Sequence, residues 1–358
     1  MTISVVIPTF ARPALLEATL QSVVRQTHAD LEVLVCDNAD DDRVHTLIDR
    51  LDDPRIQHIR RPHNIGMHRN ALEGFAAARG SYLFKLDDDD LPAPDALAHL
   101  HAALQRHPEA AVAFGRLLEF PDDDMSRARP ATPPIPGGVV QDFGDDAAAG
   151  RISLAASLVR RTAFDGIAVD SRSATAYDLD MLLRLADKGA AVHVPEAEVL
   201  YRQHAGADSL LAPVRQGLGA LVALDAALAR RGDTSPTPGF RLAYESAALL
   251  AVRGLIRNGD ATAAREVLRS LPDAIDSPAL RRLHLATRVA WLGRPLAVLA
   301  NQRHRRYQRR LARTAARTTA ETGEKPADRS AGDLGSPERP DERPLSRDSS
   351  SSVPRPSS

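Results

Sequence analysis

The stretch Ser81-Tyr-Leu-Phe-Lys-Leu-Asp-Asp-Asp-Asp90 sets four adjacent carboxylates at the end of a short apolar run. Adjacent carboxylates repel, so a folded chain keeps them where water, helix amides or a bound cation offsets their charge. If Tyr82 to Leu86 is a buried strand of an α/β sheet, Asp87 to Asp90 lie at its carboxyl end, where open sheets of this class bind ligands. A cluster of this kind suits Mg²⁺ or Mn²⁺, because magnesium is commonly held by one or two carboxylates plus phosphate oxygens of a substrate. Helix capping is the competing explanation. Leu91-Pro-Ala-Pro94 leads into a helical pattern from Asp95 to about His107, which accounts for Asp90 but not for all four.

Outward from this stretch, strand-like and helix-like segments alternate. Ile3 to Ile7 precedes a helical stripe of Leu16, Leu20, Val23 and Val24, with Pro13 suited to the first turn. Leu31 to Cys36, a helix from Arg43 to Leu51, Ile56 to Ile59, a helix from about Gly66 to Arg79, and Tyr82 to Leu86 continue the pattern. Repeated β-α-β predicts a mainly parallel sheet with flanking helices. Ala111 to Phe114 is a further strand, and the Pro-, Asp- and Gly-rich segment from Pro121 to Gly150 is expected to be a long loop. Sheet signals resume at Ile152 to Val159, followed by a helix from about Asp178 and short strands at Ala191 to Val194 and Val199 to Arg202. The expected organisation is an α/β domain over 1–208, a helical region over 209–318 and a disordered Pro-, Ser- and Arg-rich tail over 319–358.

Composition narrows the function classes. A formal net charge of -1 over 358 residues leaves no global nucleic-acid footprint. Cys36 is the only cysteine, which excludes a disulfide framework and a cysteine metal cluster and fits a reducing, cytoplasmic compartment. No run reaches the roughly 18 apolar residues of a membrane span. Between Ser277 and Ala320 stand 11 arginines and no acid, with Trp291, Leu292, Leu296 and Leu299 beside them. That basic stretch, 281–317, is either a solvated helix face or a peripheral contact with an anionic membrane surface.

Two other clusters follow predicted strands: Pro8-Thr-Phe-Ala-Arg12 after the first, and Asp37-Asn-Ala-Asp-Asp-Asp42 after the second. Each alone reads as a turn or a helix cap. Their joint placement beside Asp87 to Asp90 points to one ligand-binding crevice.

Together these residues resemble the family 2 glycosyltransferases of the GT-A fold. The family's I-P-T-[FY]-N-R is similar to Ile7-Pro-Thr-Phe-Ala-Arg12, its Q-[ST] to Gln26-Thr27, and its D-D or D-N to Asp37-Asn38. Asn64-Ile-Gly66-Met-His-Arg69-Asn70 looks like N-x-G-x-x-x-x-R-N with a shorter spacer, and Leu86 to Asp90 like L-D-x-D-D. The resemblance resumes at Tyr177-Asp-Leu-Asp180 and Tyr201-Arg-Gln-His204.

The resemblance implies a nucleoside diphosphate sugar donor, UDP favoured, a divalent cation, and transfer to an acceptor hydroxyl with inversion. Asp37 would accept from the donor base, with Pro8, Thr9, Phe10 and Arg12 around it. Asp87 and Asp88 would face ribose and diphosphate, Asp89 would ligate the cation with His204, and Arg69 would approach the phosphates or pair with an acidic neighbour. Asp178 is the expected base, with Asp180 as its rival. Ala11 for Asn, Asn38-Ala39-Asp40 for Asp-Gly-Ser, and Tyr177 for Glu depart from the pattern. The missing Q-x-x-R-W and the lack of spans argue against a processive synthase. Acceptors consistent with the resemblance are a glycan of the cell envelope, a lipid-linked intermediate or a small metabolite. The alternatives are a sugar nucleotidyltransferase, which would need a Gly-rich basic loop where Pro8 to Arg12 has no glycine, and a degenerate nucleotide-sugar-binding module.

Overall fold

Apolar β-branched runs flanked by turn residues form the strands, and they order the molecule around one sheet. The computed structural model describes residues 1–39, 41–121, 124–203, 213–233 and 235–288. The first half runs β1 (Ile3–Thr9), α1 (Pro13–Val24), β2 (Leu31–Asp37), α2 (Arg43–Leu51), β3 (Ile56–Arg60), α3 (Met67–Ala77), β4 (Tyr82–Lys85), β5 (Leu91–Pro92), α4 (Ala96–Arg106) and β6 (Ala110–Pro121). It continues with β7 (Arg129–Pro130), β8 (Gly138–Val139), α5 (Phe143–Ala148), β9 (Ser157–Arg160), α6 (Arg161–Phe164), α7 (Tyr177–Leu185) and β10 (Ala190–Gln203). Helices α8 (Pro213–Arg231), α9 (Pro238–Arg257), α10 (Ala261–Ser270) and α11 (Pro278–Arg288) follow.

The strand order is β3-β2-β1-β4-β9-β6-β10-β5, with β7 on β6 and β8 on β10. β3, β2, β1 and β4 are parallel, as are β6 and β10, whereas β9 runs antiparallel between β4 and β6. The chain builds outward from β1 through β2 to β3 and then returns to place β4 on the other side of β1. Between the carboxyl ends of β1 and β4 the connections diverge to opposite sides, which opens a crevice there. β1, β2 and β4 are buried along their whole length, as strands covered on both faces must be. One apolar layer, with Leu16, Leu20, Leu97 and Leu100, covers one face. The other, with Phe75, Met181, Leu224, Phe240 and Tyr244, joins the opposite face to the helices after β10.

Two local expectations change. The segment from Pro121 to Gly150 is not all loop: it carries β7, β8 and α5. The two strands expected near Ala191 and Val199 are one strand, β10, whose register against β6 shifts between His193 and Glu198. That bulge carries Pro195-Glu196, so a proline that argued for a break is accommodated by a bend. The basic stretch expected from 281 to 317 is described only as far as Arg288, and the tail lies outside the described residues. Among the described residues no helix is long and apolar enough to cross a membrane.

Candidate active site

The crevice between β1 and β4 opens into a cavity of about 350 Å³. Arg12, Lys85, Asp87, Asp89 and Asp178 supply its charged wall. Ser153, Thr175, Tyr177, Tyr201 and Gln216 supply neutral polar groups, with Met67 and Leu117 among the apolar ones.

The four aspartates divide by alternation. Asp87 and Asp89 line the cavity, whereas Asp88 and Asp90 are fully buried beneath it. Thr9 Oγ1 donates to Asp88 Oδ2 at 2.6 Å, and Arg12 Nη2 lies 2.5 Å from Asp88 Oδ1. These contacts fasten the turn after β1 to the turn after β4. Arg12 Nη1 reaches Asp89 Oδ2 at 3.1 Å, so one guanidinium spans both carboxylates. Asp88 therefore does not face the cavity as the sequence suggested; its carboxyl is turned into the fold. Burial pushes it up to about 7, although the Arg12 cation pulls the other way. Asp90 Oδ1 accepts from the backbone N–H of Arg202 and its Oδ2 has no partner among the described residues, so burial raises this carboxyl well above its ordinary range. Its contact joins β4 to β10 and explains Asp90 without a ligand.

Asp87 is held by a residue that the sequence reading passed over. Lys85, the last residue of β4, is buried, and its Nζ lies 2.8 Å from Asp87 Oδ2 and 3.4 Å from Asp178 Oδ2. Burial of the ammonium opposes its charge, but the Asp178 and Asp87 carboxylates more than offset this and raise it well above the usual lysine value. Burial also raises Asp87. A lone lysine in an apolar strand was the available signal, since buried lysines are almost always paired. Tyr201 and Gln216 carried no such signal, because only the tertiary fold brings β10 and α8 to this wall.

Asp178 sits in the first turn of α7, where the helix dipole favours a carboxylate. Its rival Asp180 is fully buried and absent from the cavity lining. Asp180 accepts from Ser173 Oγ at 2.8 Å, Arg184 Nε at 2.8 Å and the Asp170 backbone N–H at 3.1 Å. These bonds brace the turn before α7, a structural task that consumes both of its oxygens.

The other residues singled out from sequence lie outside this lining. Asp37 is fully buried, accepting from the Ala39 backbone N–H at 2.9 Å, with Oδ2 3.1 Å from His58 Nε2. Pro8 and Thr9 are buried in β1, whereas Phe10 is 49% exposed beyond it. Arg69 pairs with Glu73 at 2.8 Å, the acidic-neighbour alternative raised for it. His204 lies outside the described residues. Among the described residues no group of three or more His, Cys, Asp or Glu is arranged to hold a metal. Asp87 and Asp89 nevertheless present hard oxygen donors to one cavity, a set that fits Mg²⁺ or Mn²⁺ when a substrate phosphate completes the shell.

Comparison with known proteins agrees with this architecture. Over 129 residues the chain is 33% identical to a GalNAc(5)-diNAcBac-PP-undecaprenol beta-1,3-glucosyltransferase of Campylobacter jejuni, covering 35% of this chain and 41% of that one. It is 36% identical over 110 residues to the abequosyltransferase RfbV of Salmonella typhimurium, covering 29% of this chain and 33% of that protein. In both cases the matched stretch spans less than half of the relative. The crystal structure of S. aureus TarS 1-349 in complex with UDP-GlcNAc superposes with a TM-score of 0.59 at 13% identity, covering 84% of this chain and 92% of that one, which shows the shared fold. Residues 4–168 match the model of Glycosyl transferase family 2, so that stretch is similar to the family 2 glycosyltransferases and the fold around it is of the GT-A type.

Proposed function

We propose that the protein moves a sugar from a UDP-sugar to an acceptor hydroxyl by a single, non-processive, inverting displacement. The observation that carries this reading is that Asp87 and Asp89, at the end of β4, share one cavity with Asp178 at the start of α7. The first pair is suited to the diphosphate side of a donor, and Asp178 to the acceptor side. Asp178 takes the acceptor proton as the hydroxyl oxygen attacks the anomeric carbon. Arg12 and Lys85 orient the carboxylates around the diphosphate.

Asp89, with Asp87 beside it, is the proposed holder of a divalent cation, and His204 the proposed further contact. Such a cation supplies neutralisation of the departing nucleoside diphosphate. The donor base would lie over Phe10, with Asp37 beneath it; reaching Asp37 requires His58 to give up its contact. The relative acting on an undecaprenol-linked glycan and the neighbour solved with UDP-GlcNAc support a UDP-hexose donor and a lipid-linked envelope acceptor. Peripheral contact with the cytoplasmic face of a membrane through 281–317 belongs to the same proposal.

A thermal-shift screen of UDP-, GDP- and TDP-sugars with and without Mn²⁺ tests the reading, because a ligand that binds the native state raises apparent stability. Metal-dependent stabilisation by UDP-sugars is expected. Stabilisation by no nucleotide sugar, with or without metal, would reject it.

A further inference from the structure

We propose that Lys85 is a positioning residue that fixes Asp178 as the base and ties it to the donor-side Asp87, an inference that rests on the transferase reading above. An ammonium inside a strand is costly unless it is paired, and Lys85 is only 3% exposed. Its partners come from two elements: Asp87 directly after β4 and Asp178 at the start of α7. The Tyr177 ring lies 5.7 Å from Nζ and closes another side. One buried cation therefore joins the two carboxylates that the transfer reaction would use.

The two oxygens of Asp178 differ. Oδ2 faces Lys85 at 3.4 Å, whereas Oδ1 is buried and has no hydrogen-bond partner among the described residues. Oδ1 is shut off from solvent although the side chain as a whole is 42% exposed, so an incoming hydroxyl meets Asp178 on its exposed side rather than at Oδ1. The Lys85 contact at Oδ2 limits rotation of the carboxylate and holds its exposed side toward the cavity. Asp180, two residues on, shows the opposite arrangement, with both oxygens consumed by donors.

The step balances on this geometry. The acceptor oxygen forms a bond to the anomeric carbon, and the bond from that carbon to the diphosphate oxygen breaks. Its electron pair leaves on the nucleoside diphosphate, and the acceptor proton passes to the Asp178 carboxylate. Lys85 neither gains nor loses a proton; it keeps Asp178 in place beside the donor.

The test compares full-length wild type with Lys85→Met and Lys85→Arg. UDP release from UDP-GlcNAc gives kcat, calorimetric titration with UDP and Mn²⁺ gives donor-site affinity, and a crystal structure of Lys85→Met gives the position of Asp178. Lys85→Met should lower kcat by about 10²-fold, the scale of a lost general base, while UDP affinity, which Lys85 influences only through Asp87, falls by no more than about tenfold. Lys85→Arg should restore about a tenth or more of the lost rate. A Lys85→Met kcat close to wild type would overturn the inference, and so would a loss of UDP affinity as large as the loss of kcat, which would make Lys85 a donor contact. If wild type releases no UDP, it is the donor assignment that fails. The crystal structure then decides alone: a displaced or disordered Asp178 carboxylate in Lys85→Met supports the inference, and an unmoved one rejects it. Should Lys85→Met not fold, Lys85→Arg is read in the same three assays, and wild-type kcat with a displaced Asp178 would reject the inference.

Discussion

Replacing Asp88 by Asn should remove a pH-dependent penalty that the acidic cluster places on folding. In the folded protein the Asp88 carboxyl is pushed up to about 7, chiefly by burial. In the unfolded chain it titrates near the ordinary aspartate value of about 3.9. Between these values the native state holds the proton and the unfolded state has lost it, so stability falls as pH rises through this window. Three units at about 1.4 kcal/mol each set an upper end of about 4 kcal/mol. Asp87 and Asp90 are shifted in the same direction and add to the slope. Asp170, held at about 2 by its hydrogen bonds to Arg172, finishes titrating below the window. Lys85 stays charged throughout it. His68 and His101 are lowered by burial and contribute the opposite slope, which the comparison with the variant cancels. In Asp88→Asn the amide oxygen still accepts from Thr9; the amide NH2 faces Arg12 Nη2, which must turn away at the cost of a pH-independent offset, while Arg12 keeps Asp89. Urea unfolding of both proteins in EDTA, from about pH 5 to about pH 8, checks this. The variant should gain on wild type as pH rises. Parallel curves, or a wild type whose advantage grows with pH, would refute the assignment of Asp88 as a buried carboxyl held protonated at moderate acidity.

Asp89→Ala should abolish Mn²⁺-dependent UDP binding in calorimetry, and unchanged metal-dependent affinity would sink its proposed role. Asp178→Asn should bind UDP as wild type does while UDP release from UDP-GlcNAc falls by about 10²- to 10⁴-fold; an active variant would move the base elsewhere. Gly80→Ala should destabilise by about 1–3 kcal/mol in urea unfolding, because the new Cβ would stand 2.6 Å from the Thr2 carbonyl oxygen and 2.8 Å from the Ser4 nitrogen, both backbone atoms at the start of β1. A Gly80→Ala midpoint equal to wild type would show that β1 can move aside there.

Much of the parallel half of the sheet was legible because strands buried on both faces read as unbroken apolar runs. Ile3 to Ile7 and Leu31 to Cys36 have no other plausible fate. The position of the acid cluster at a carboxyl edge followed directly. Which aspartate faces which way did not follow, because a run of identical residues carries no pattern. The division into Asp87 and Asp89 above, Asp88 and Asp90 below, is set by Thr9, Arg12 and the Arg202 amide, whose approach depends on β1 and β10. Lys85 was visible as an oddity in its strand, but its two partners were not. Asp178 lies far from it in sequence, and side-chain pairing at that separation is fixed by topology rather than spacing. The antiparallel insertion of β9 was likewise hidden, since a short buried strand reads the same in either direction.

The family match ends at residue 168, before Tyr177, Asp178, Tyr201 and Gln216. What the chain shares most clearly with its relatives is therefore the wall built by β1 and β4, whereas the facing wall comes from α7, β10 and α8. That second wall is anchored to the helical region. Thr175 Oγ1 donates to the Arg215 carbonyl at 2.6 Å, and Asp145 Oδ1 accepts from the Gly239 N–H at 2.6 Å at the start of α9. Phe240 and Tyr244 of α9 belong to the same apolar cluster as Val6 and Leu34 of the sheet. The apolar cluster is thus continuous from the sheet into the helices after β10, and Gln216 of α8 lines the cavity. Discrimination between acceptors should accordingly track substitutions in α8 and in the turn that carries Thr175 more closely than substitutions around Asp87, where any nucleotide-sugar transferase of this fold faces a similar diphosphate.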